Sequence, residues 1–327
     1  MSSSSQNNSM RAITQHRFGG PEVLELADIP RPQPLPTEIM VRVIAAGVNP
    51  VDAKTRAGGG MAGVLGEPPF VLGWDVAGVV EQVGFGVNTA AVGDAVFGMP
   101  WFPRQAGAYA EYVTAPARQF AHKPGSLSFV EAAGVPLAAL TAWQALTDAA
   151  GVLPGQRVVI TAAGGGVGHF AVQLARQLGA HVIAVARADK HDWLAALGAD
   201  ELIDYTAAPF EEQIADVDVV IDLLGDEVDS TSHRALAVLR PGGTLIAVPS
   251  GVGPELAVAA EQREIRALPF LVEPDGAALA VIAELFDGGE LTIDIERVYP
   301  LEEAAAAHRH LSGGRTRGKI VLAVDES

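Results

Sequence analysis

The sequence predicts an α/β protein in two parts, a β-rich barrel or sandwich followed by a doubly wound parallel sheet. Three observations carry this. The chain has 327 residues, about twice the size of a typical single domain. Up to about residue 126, short apolar runs are separated by glycine and proline clusters, which is the texture of strands joined by turns. From about residue 131, strand-like and helix-like segments alternate, the mark of βαβ units and hence of a parallel sheet.

Taken in order, residues 1–9 are polar, rich in Ser and Asn, and lack the basic and apolar regions of a signal peptide. They read as a disordered extension. Residues 39–45 and 76–83 are short apolar strands, and Pro30, Pro32, Pro34 and Pro36 mark an extended stretch before the first of them. In the alternating part, 157–161 is a strand, 167–178 an apolar-periodic helix, 181–186 a strand, and 193–197 part of the next helix. Residues 217–223 and 244–248 are further buried-strand candidates. Residues 277–286 and 301–311 look helical, and 319–324 looks like a final strand. No internal repeat of solenoid period is present.

Composition narrows the function. Hydrophobic residues make up 49% of the chain and charged residues 19%, enough to bury a large core. The formal net charge of −17 repels phosphate backbones and anionic lipid heads, so neither nucleic acid nor membrane is expected as a partner. No apolar run reaches the ~18 to 20 residues of a bilayer span. There is no cysteine, which removes disulfides, thiolate nucleophiles and thiolate metal sites, and fits a reducing, cytoplasmic setting.

The strongest local signal is Thr161-Ala162-Ala163-Gly164-Gly165-Gly166-Val167-Gly168, lying directly between a strand and a helix. Ala163, Gly165 and Gly168 take the places of the three glycines of a dinucleotide fingerprint. Such a turn lets the backbone approach a pyrophosphate, which rests on the helix N-terminus. The second strand ends Ala186-Arg187-Ala188-Asp189-Lys190. An acid is expected there when the ribose carries a free 2′-hydroxyl. Arg187 stands in its place with Lys190 nearby, and a guanidinium suits a 2′-phosphate. The expected cofactor is therefore NADPH.

Several further segments together resemble the medium-chain dehydrogenase/reductase superfamily, in its zinc-free quinone oxidoreductase (zeta-crystallin-like) branch. They are Gly47-Val48-Asn49-Pro50-Val51-Asp52-Ala53-Lys54, Gly73-Trp74-Asp75-Val76-Ala77-Gly78, Leu140-Thr141-Ala142-Trp143-Gln144-Ala145-Leu146, Leu197-Gly198-Ala199-Asp200, Arg240-Pro241-Gly242-Gly243 and Arg317-Gly318-Lys319-Ile320-Val321-Leu322. The resemblance implies a GroES-like β-barrel domain over 10–130, a Rossmann domain over 131–267, and a return of 268–327 to the first domain. It also implies a homodimer. Zinc relatives carry Gly-His-Glu where this chain has Gly73-Trp74-Asp75, so Trp74 replaces a ligand histidine and no set of three protein ligands remains. The eight histidines are scattered, and His308 and His310, two apart on a helix, read as solvated.

The resemblance further implies roles for single residues. Asn49 lies near the nicotinamide and the substrate carbonyl, and Thr141 contacts the nicotinamide side of the cofactor. Tyr205 packs near the adenosine 2′-phosphate, and Phe270 to Val272 approaches the nicotinamide. Leu224, Gly225, Val248 and Ser250 follow strands at their carboxyl ends, where nucleotides bind in open α/β sheets. With Ala163, Gly165, Gly166, Val167, Arg187 and Lys190 they form the expected cofactor site. A small hydrophobic quinone or enone is the expected acceptor, because without a metal an already activated acceptor is the easier substrate. The developing oxyanion needs a donor, and Asn49 and Lys54 are the candidates, with Asp52 read as a structural partner. Trp74, Trp101, Phe102 and Met61 are read as apolar walls, and the glycine-rich stretch 58–63 as a mobile cover. Two other readings stand beside this one, an enoyl-thioester reductase and a non-catalytic NADPH-binding protein.

Overall fold

Six parallel strands form the sheet of the alternating region in the computed structural model, which describes residues 8–325. They are β1 (Arg157–Ile160), β2 (His181–Ala186), β3 (Glu201–Asp204), β4 (Val217–Asp222), β5 (Leu239–Ala247) and β6 (Arg266–Pro269), in the spatial order β3-β2-β1-β4-β5-β6. The central strands read as unbroken apolar runs because both of their faces are covered: Val158, Val159, Ile160, Val182, Ile183 and Ala184 are all buried. Register places Val159 of β1 between Ile183 of β2 and Val220 of β4. The direction of winding reverses between β1 and β4, and a crevice opens at the carboxyl ends of the strands at such a switch point.

The β-rich unit holds a seven-stranded and a three-stranded sheet. Its longest strand, Glu38–Val48, pairs antiparallel with Val76–Val83, with Tyr112–Pro116 and with Lys319–Ala323. The last of these brings the end of the chain back beside its beginning, with Ile320 opposite Val48. The two compact units divide after Leu140 and again after Val272, not after 130 and 267. The first boundary moves because the helix Phe129–Ala133 packs on Glu38–Val48 and Val76–Val83, and Leu137 N–H donates to Asp75 Oδ1 at 2.7 Å. Ser128 caps that helix, and Glu131 returns to the Ser128 N–H.

The expected N-terminal extension needs correcting at its end. Ser9 already belongs to the strand Ser9–Gln15 and pairs with Pro30, and Asn8 O accepts from Arg31 N–H at 3.0 Å. A ladder bonds through backbone groups, so polar side chains do not exclude it. Residues 1–7 lie outside the described part. The other expected elements appear within a few residues of their predicted ends, including the helices Gly168–Gln177, Gly276–Asp287 and Ala304–Ser312. The short helix Pro50–Arg56 is an addition.

Candidate active site

The glycine turn is held to the sheet at both ends. Thr161 N–H donates to Ile221 O at 3.1 Å and Ala163 N–H to Val185 O at 3.1 Å. Gly168 opens the helix, and a Cβ there would lie 2.4 Å from Ala162 O and 2.6 Å from Ala163 Cα, so only glycine allows helix and turn to approach this closely. The left-handed position of the turn is Ala162, with φ 46°. Ala163 has no such demand, which is why an alanine can replace the first fingerprint glycine. Gly165, Gly166 and Val167 are half-buried and lead into the helix, where Gly165 N–H donates to Ala162 O at 2.9 Å, His169 N–H to Gly165 O at 3.2 Å and Ala171 N–H to Val167 O at 3.0 Å.

Two cations stand at this turn. Lys190 donates from Nζ to Gly164 O at 3.1 Å, and its side chain fills the space a Cβ on Gly164 would need. Arg187, just past β2, is exposed, with Asp189 3.6 Å away. Tyr205, just past β3, is also exposed. These groups fit a phosphorylated ribose chemically: backbone donors at a helix start, with a guanidinium and an ammonium beside them.

The loops after β4 and β5 are organised by Asp222, which sequence reading missed. Its buried carboxylate accepts from Thr161 Oγ1 (2.8 Å), Ser232 Oγ (2.6 Å), Leu224 N–H (3.1 Å) and Gly225 N–H (3.2 Å). Gly225 has φ 75°, and a Cβ on it would meet Ser250 Oγ at 2.1 Å. The Leu224–Gly225 and Val248–Ser250 segments are thus brought against each other. Thr141 is buried, as is Val272, whereas Leu271 beside it is exposed and Phe270 half-buried.

In the β-rich unit, Asn49 and Asp52 sit at the start of the helix Pro50–Arg56. Asn49 is the N-cap, Pro50 the first helical residue, and Asp52 Oδ2 accepts from Asn49 N–H at 2.7 Å. The Asn49 carboxamide is engaged at both ends. Its Nδ2 donates to Asp75 Oδ2 at 2.8 Å and its Oδ1 accepts from Lys319 Nζ. Lys319 Nζ also lies 3.6 Å from Asp75 Oδ2. Asp75 and Lys319 are both buried. Burial pushes the Asp75 carboxyl up and pulls the Lys319 ammonium down, and each partner opposes the other's shift. Lys54 lies toward the other end of the helix and is exposed.

A second chain of contacts continues from Asp52. Tyr109 donates from its hydroxyl to Asp52 Oδ2 at 3.0 Å and lies 3.2 Å from His308 Nε2, and Arg56 Nη1 is 3.1 Å from His308 Nδ1. A guanidinium can only donate, so His308 Nδ1 accepts and Nε2–H donates to the Tyr109 oxygen. His308 is therefore not solvated. It is fully buried, because the helix Ala304–Ser312 turns that side inward. Burial, with Arg56 beside it, pulls its imidazole down to about 3. Burial pushes the Asp52 carboxyl up to about 7 and raises the Tyr109 phenol well above its ordinary range. Of the two histidines on this helix, His310 is the partly open one, with Nδ1 3.0 Å from Tyr299 Oη.

Trp74 is also placed differently from its reading as a pocket wall. It is 1% exposed, meets Phe102 edge-on, and donates from Nε1 to Arg104 O at 2.6 Å, so it belongs to the core. Trp101 is half-buried and donates from Nε1 to Thr114 O at 2.8 Å. Residues 58–61 form consecutive turns ahead of the short helix Ala62–Leu65, and Met61 N–H donates to Thr55 Oγ1 at 3.0 Å.

Comparison with known proteins matches residues 35–125 to a family described as alcohol dehydrogenase GroES-like domain, and residues 197–322 to one described as zinc-binding dehydrogenase. The mitochondrial NAD(P)H oxidoreductase RTN4IP1 of Mus musculus is 34% identical over 88% of this chain and 82% of its own. The chain belongs to the medium-chain dehydrogenase/reductase superfamily. Within that superfamily it is similar to a 2-haloacrylate reductase from a Burkholderia species, 34% identical over 95% of this chain and 98% of the relative. The solved structure of the quinone oxidoreductase from Coxiella burnetii matches with a TM-score of 0.90 and 38% identity, over 97% of this chain and 100% of that one. The β-rich unit is the GroES-like domain, the parallel sheet is the Rossmann-like one, and the protein is an oxidoreductase.

Proposed function

We propose that this protein is an NADPH-dependent reductase of quinones and α,β-unsaturated carbonyl compounds that works without zinc. The observation that carries the cofactor assignment is the pair of cations at the glycine turn, Lys190 bonded to Gly164 O and Arg187 at the end of β2. A carboxylate in the place of Arg187 would repel a 2′-phosphate. A bound nicotinamide supplies a hydride. In this reading Ala163, Gly165, Gly166 and Val167 hold the pyrophosphate, Arg187, Lys190 and Tyr205 the phosphorylated ribose, and Thr141, Leu224, Gly225, Val248, Ser250, Phe270 and Val272 the remainder.

The acceptor class is supported by what the relatives named above reduce, a quinone in one case and a haloacrylate in another. Both are electron-poor, conjugated acceptors whose oxygen gains negative charge as the β-carbon or ring accepts hydride. Asn49 and Lys54 are the proposed donors to that oxygen. Metal is not part of the proposal, because Trp74 stands at the ligand-histidine position with its single N–H engaged by Arg104 O, and cysteine is absent. A homodimer and a cytoplasmic setting complete the reading. Among the described residues, no helix is long and apolar enough to cross a membrane.

The test is NADPH oxidation at about 340 nm with para- and ortho-quinones, enones, 2-haloacrylates and enoyl thioesters, with NADH in parallel and a chelator present. Chelator-insensitive, NADPH-selective turnover of free conjugated acceptors is the expected result. Turnover of thioesters alone would move the activity to an enoyl-thioester reductase, and tight NADPH binding without turnover to a non-catalytic role.

A further inference from the structure

The Asn49 carboxamide has two possible orientations, differing by a flip that exchanges its oxygen and nitrogen. Its neighbours permit only one. The Lys319 ammonium has protons to give and no lone pair, so it must face Oδ1, while the Asp75 carboxylate has lone pairs and must face Nδ2. The flipped form would set N–H against an ammonium and C=O against a carboxylate. The two clamping residues are far apart in sequence. Asp75 precedes the strand Val76–Val83 and Lys319 opens the strand Lys319–Ala323, both of which pair with Glu38–Val48 just before Asn49. Both charges are buried, and besides the carboxamide and each other their partners are backbone groups, Leu137 N–H for Asp75 Oδ1 at 2.7 Å and Val48 O for Lys319 Nζ at 3.4 Å.

We infer that Lys319 and Asp75 are positioning residues for the reaction, fixing the Asn49 side chain so that its free bonding group toward the acceptor is an N–H and not a carbonyl. This rests on the reading of Asn49 as a donor to the acceptor oxygen. One Nδ2 proton goes to Asp75 and the other is available to a developing oxyanion. A carbonyl in the same place would repel that charge, so the flip separates a catalyst from an inhibitor of the same step. Lys319 acts through Asn49, without touching the reacting atoms.

The experiment compares the full-length wild type with Asn49→Ala, with the charge-free pair Asp75→Asn/Lys319→Met, and with all three changes together. Removing both charges leaves no unpaired ion in the core, which keeps the fold testable. With an enone and a para-quinone as acceptors, Asn49→Ala and the charge-free pair should each lower kcat about tenfold to a hundredfold. The Kd for NADPH of the charge-free pair should equal that of Asn49→Ala within about twofold, and the triple variant should be no slower than Asn49→Ala. In a second readout, independent of turnover, the Asn49 Nδ2 proton bonded to Asp75 should be shifted downfield and protected from hydrogen exchange in 15N-correlated spectra, and should lose both features in the charge-free pair. Wild-type kcat in the charge-free pair, or losses that multiply in the triple variant, would overturn the inference. Unchanged Nδ2 resonances would do the same. Failure of the wild type to reduce any acceptor would instead sink the functional reading, and the resonances would still decide whether the clamp exists.

Discussion

The glycine turn of the parallel-sheet unit and the Asn49 cluster of the β-rich unit place polar groups by opposite means. At the turn, the donors are backbone N–H groups and the cations, Arg187 and Lys190, stand at the surface or near it. The geometry comes from the absence of a side chain at Gly168. In the cluster, Asn49, Asp52, Asp75, Tyr109, His308 and Lys319 are all buried, and each is held by another side chain. Water screens the first site and tolerates its changes, whereas the second has no solvent to absorb an unpaired charge. An exposed site of this kind is tuned by adding or removing charge. A buried one stands or falls as a unit.

The largest effect should therefore come from breaking the buried pair at one end. Lys319→Met alone leaves Asp75 charged and unpaired and should cost about 3–5 kcal/mol in urea denaturation, well beyond the charge-free pair. Equal stability of the two variants would remove the distinction drawn between the sites.

The next effect sharpens the comparison through pH. Asp52, pushed up to about 7 by burial, holds a proton in the native state that the unfolded chain has lost, so it makes stability fall as pH rises from about 4 to about 7. His308, pulled down to about 3, lacks a proton that the unfolded chain carries, so it makes stability rise with pH from about 3 to about 6.5. The groups around them, Arg56, Tyr109, Asp75 and Lys319, belong to the same cluster. Between about pH 4 and 6.5 the two slopes oppose and cancel. Asp52→Asn should unmask the His308 slope, about 1.4 kcal/mol per pH unit. A denaturation series that stays flat in the variant would contradict the buried, neutral His308.

At the exposed site, Arg187→Glu should lower kcat/KM for NADPH about tenfold to a hundredfold while leaving NADH within about threefold, and the loss should shrink as salt is raised. An equal loss with both cofactors would place Arg187 outside the ribose site. The smallest effect is expected at the surface pair Arg176–Asp200, 3.0 Å apart with Arg176 largely exposed. Arg176→Ala should change stability by less than about 1 kcal/mol.

The same contrast explains what could be read before the structure. The parallel sheet and its turn follow from local rules: apolar runs of strand length, a helix period, and glycines between them, all within a short span such as 157–186. A signal for the added helix Pro50–Arg56 was present but went unread: Asn-Pro-x-Asp at 49–52 carries the N-cap, first-turn proline and returning carboxylate of a helix start. No such local signal marks the partners of Asn49. Asp75 and Lys319 reach it through strand pairing, and no periodicity specifies which distant residues a ladder sets side by side. A lysine at the head of an apolar run, as in Lys319-Ile320-Val321-Leu322, was the available hint. His308 was misjudged because its helix has polar and apolar residues on either side, and its burial depends on Tyr109 and Arg56, which lie some 200 and 250 positions earlier in the chain.

The most direct test of the proposed chemistry follows the hydride itself. NADPH carrying deuterium at C4, prepared separately in its two stereoisomeric forms, is turned over with an α,β-unsaturated ketone, and the product is read by mass spectrometry and NMR. The account predicts one deuterium on the carbon β to the carbonyl from one form and none from the other, with a chelator making no difference. Deuterium on the carbonyl carbon, or none from either form, would contradict it.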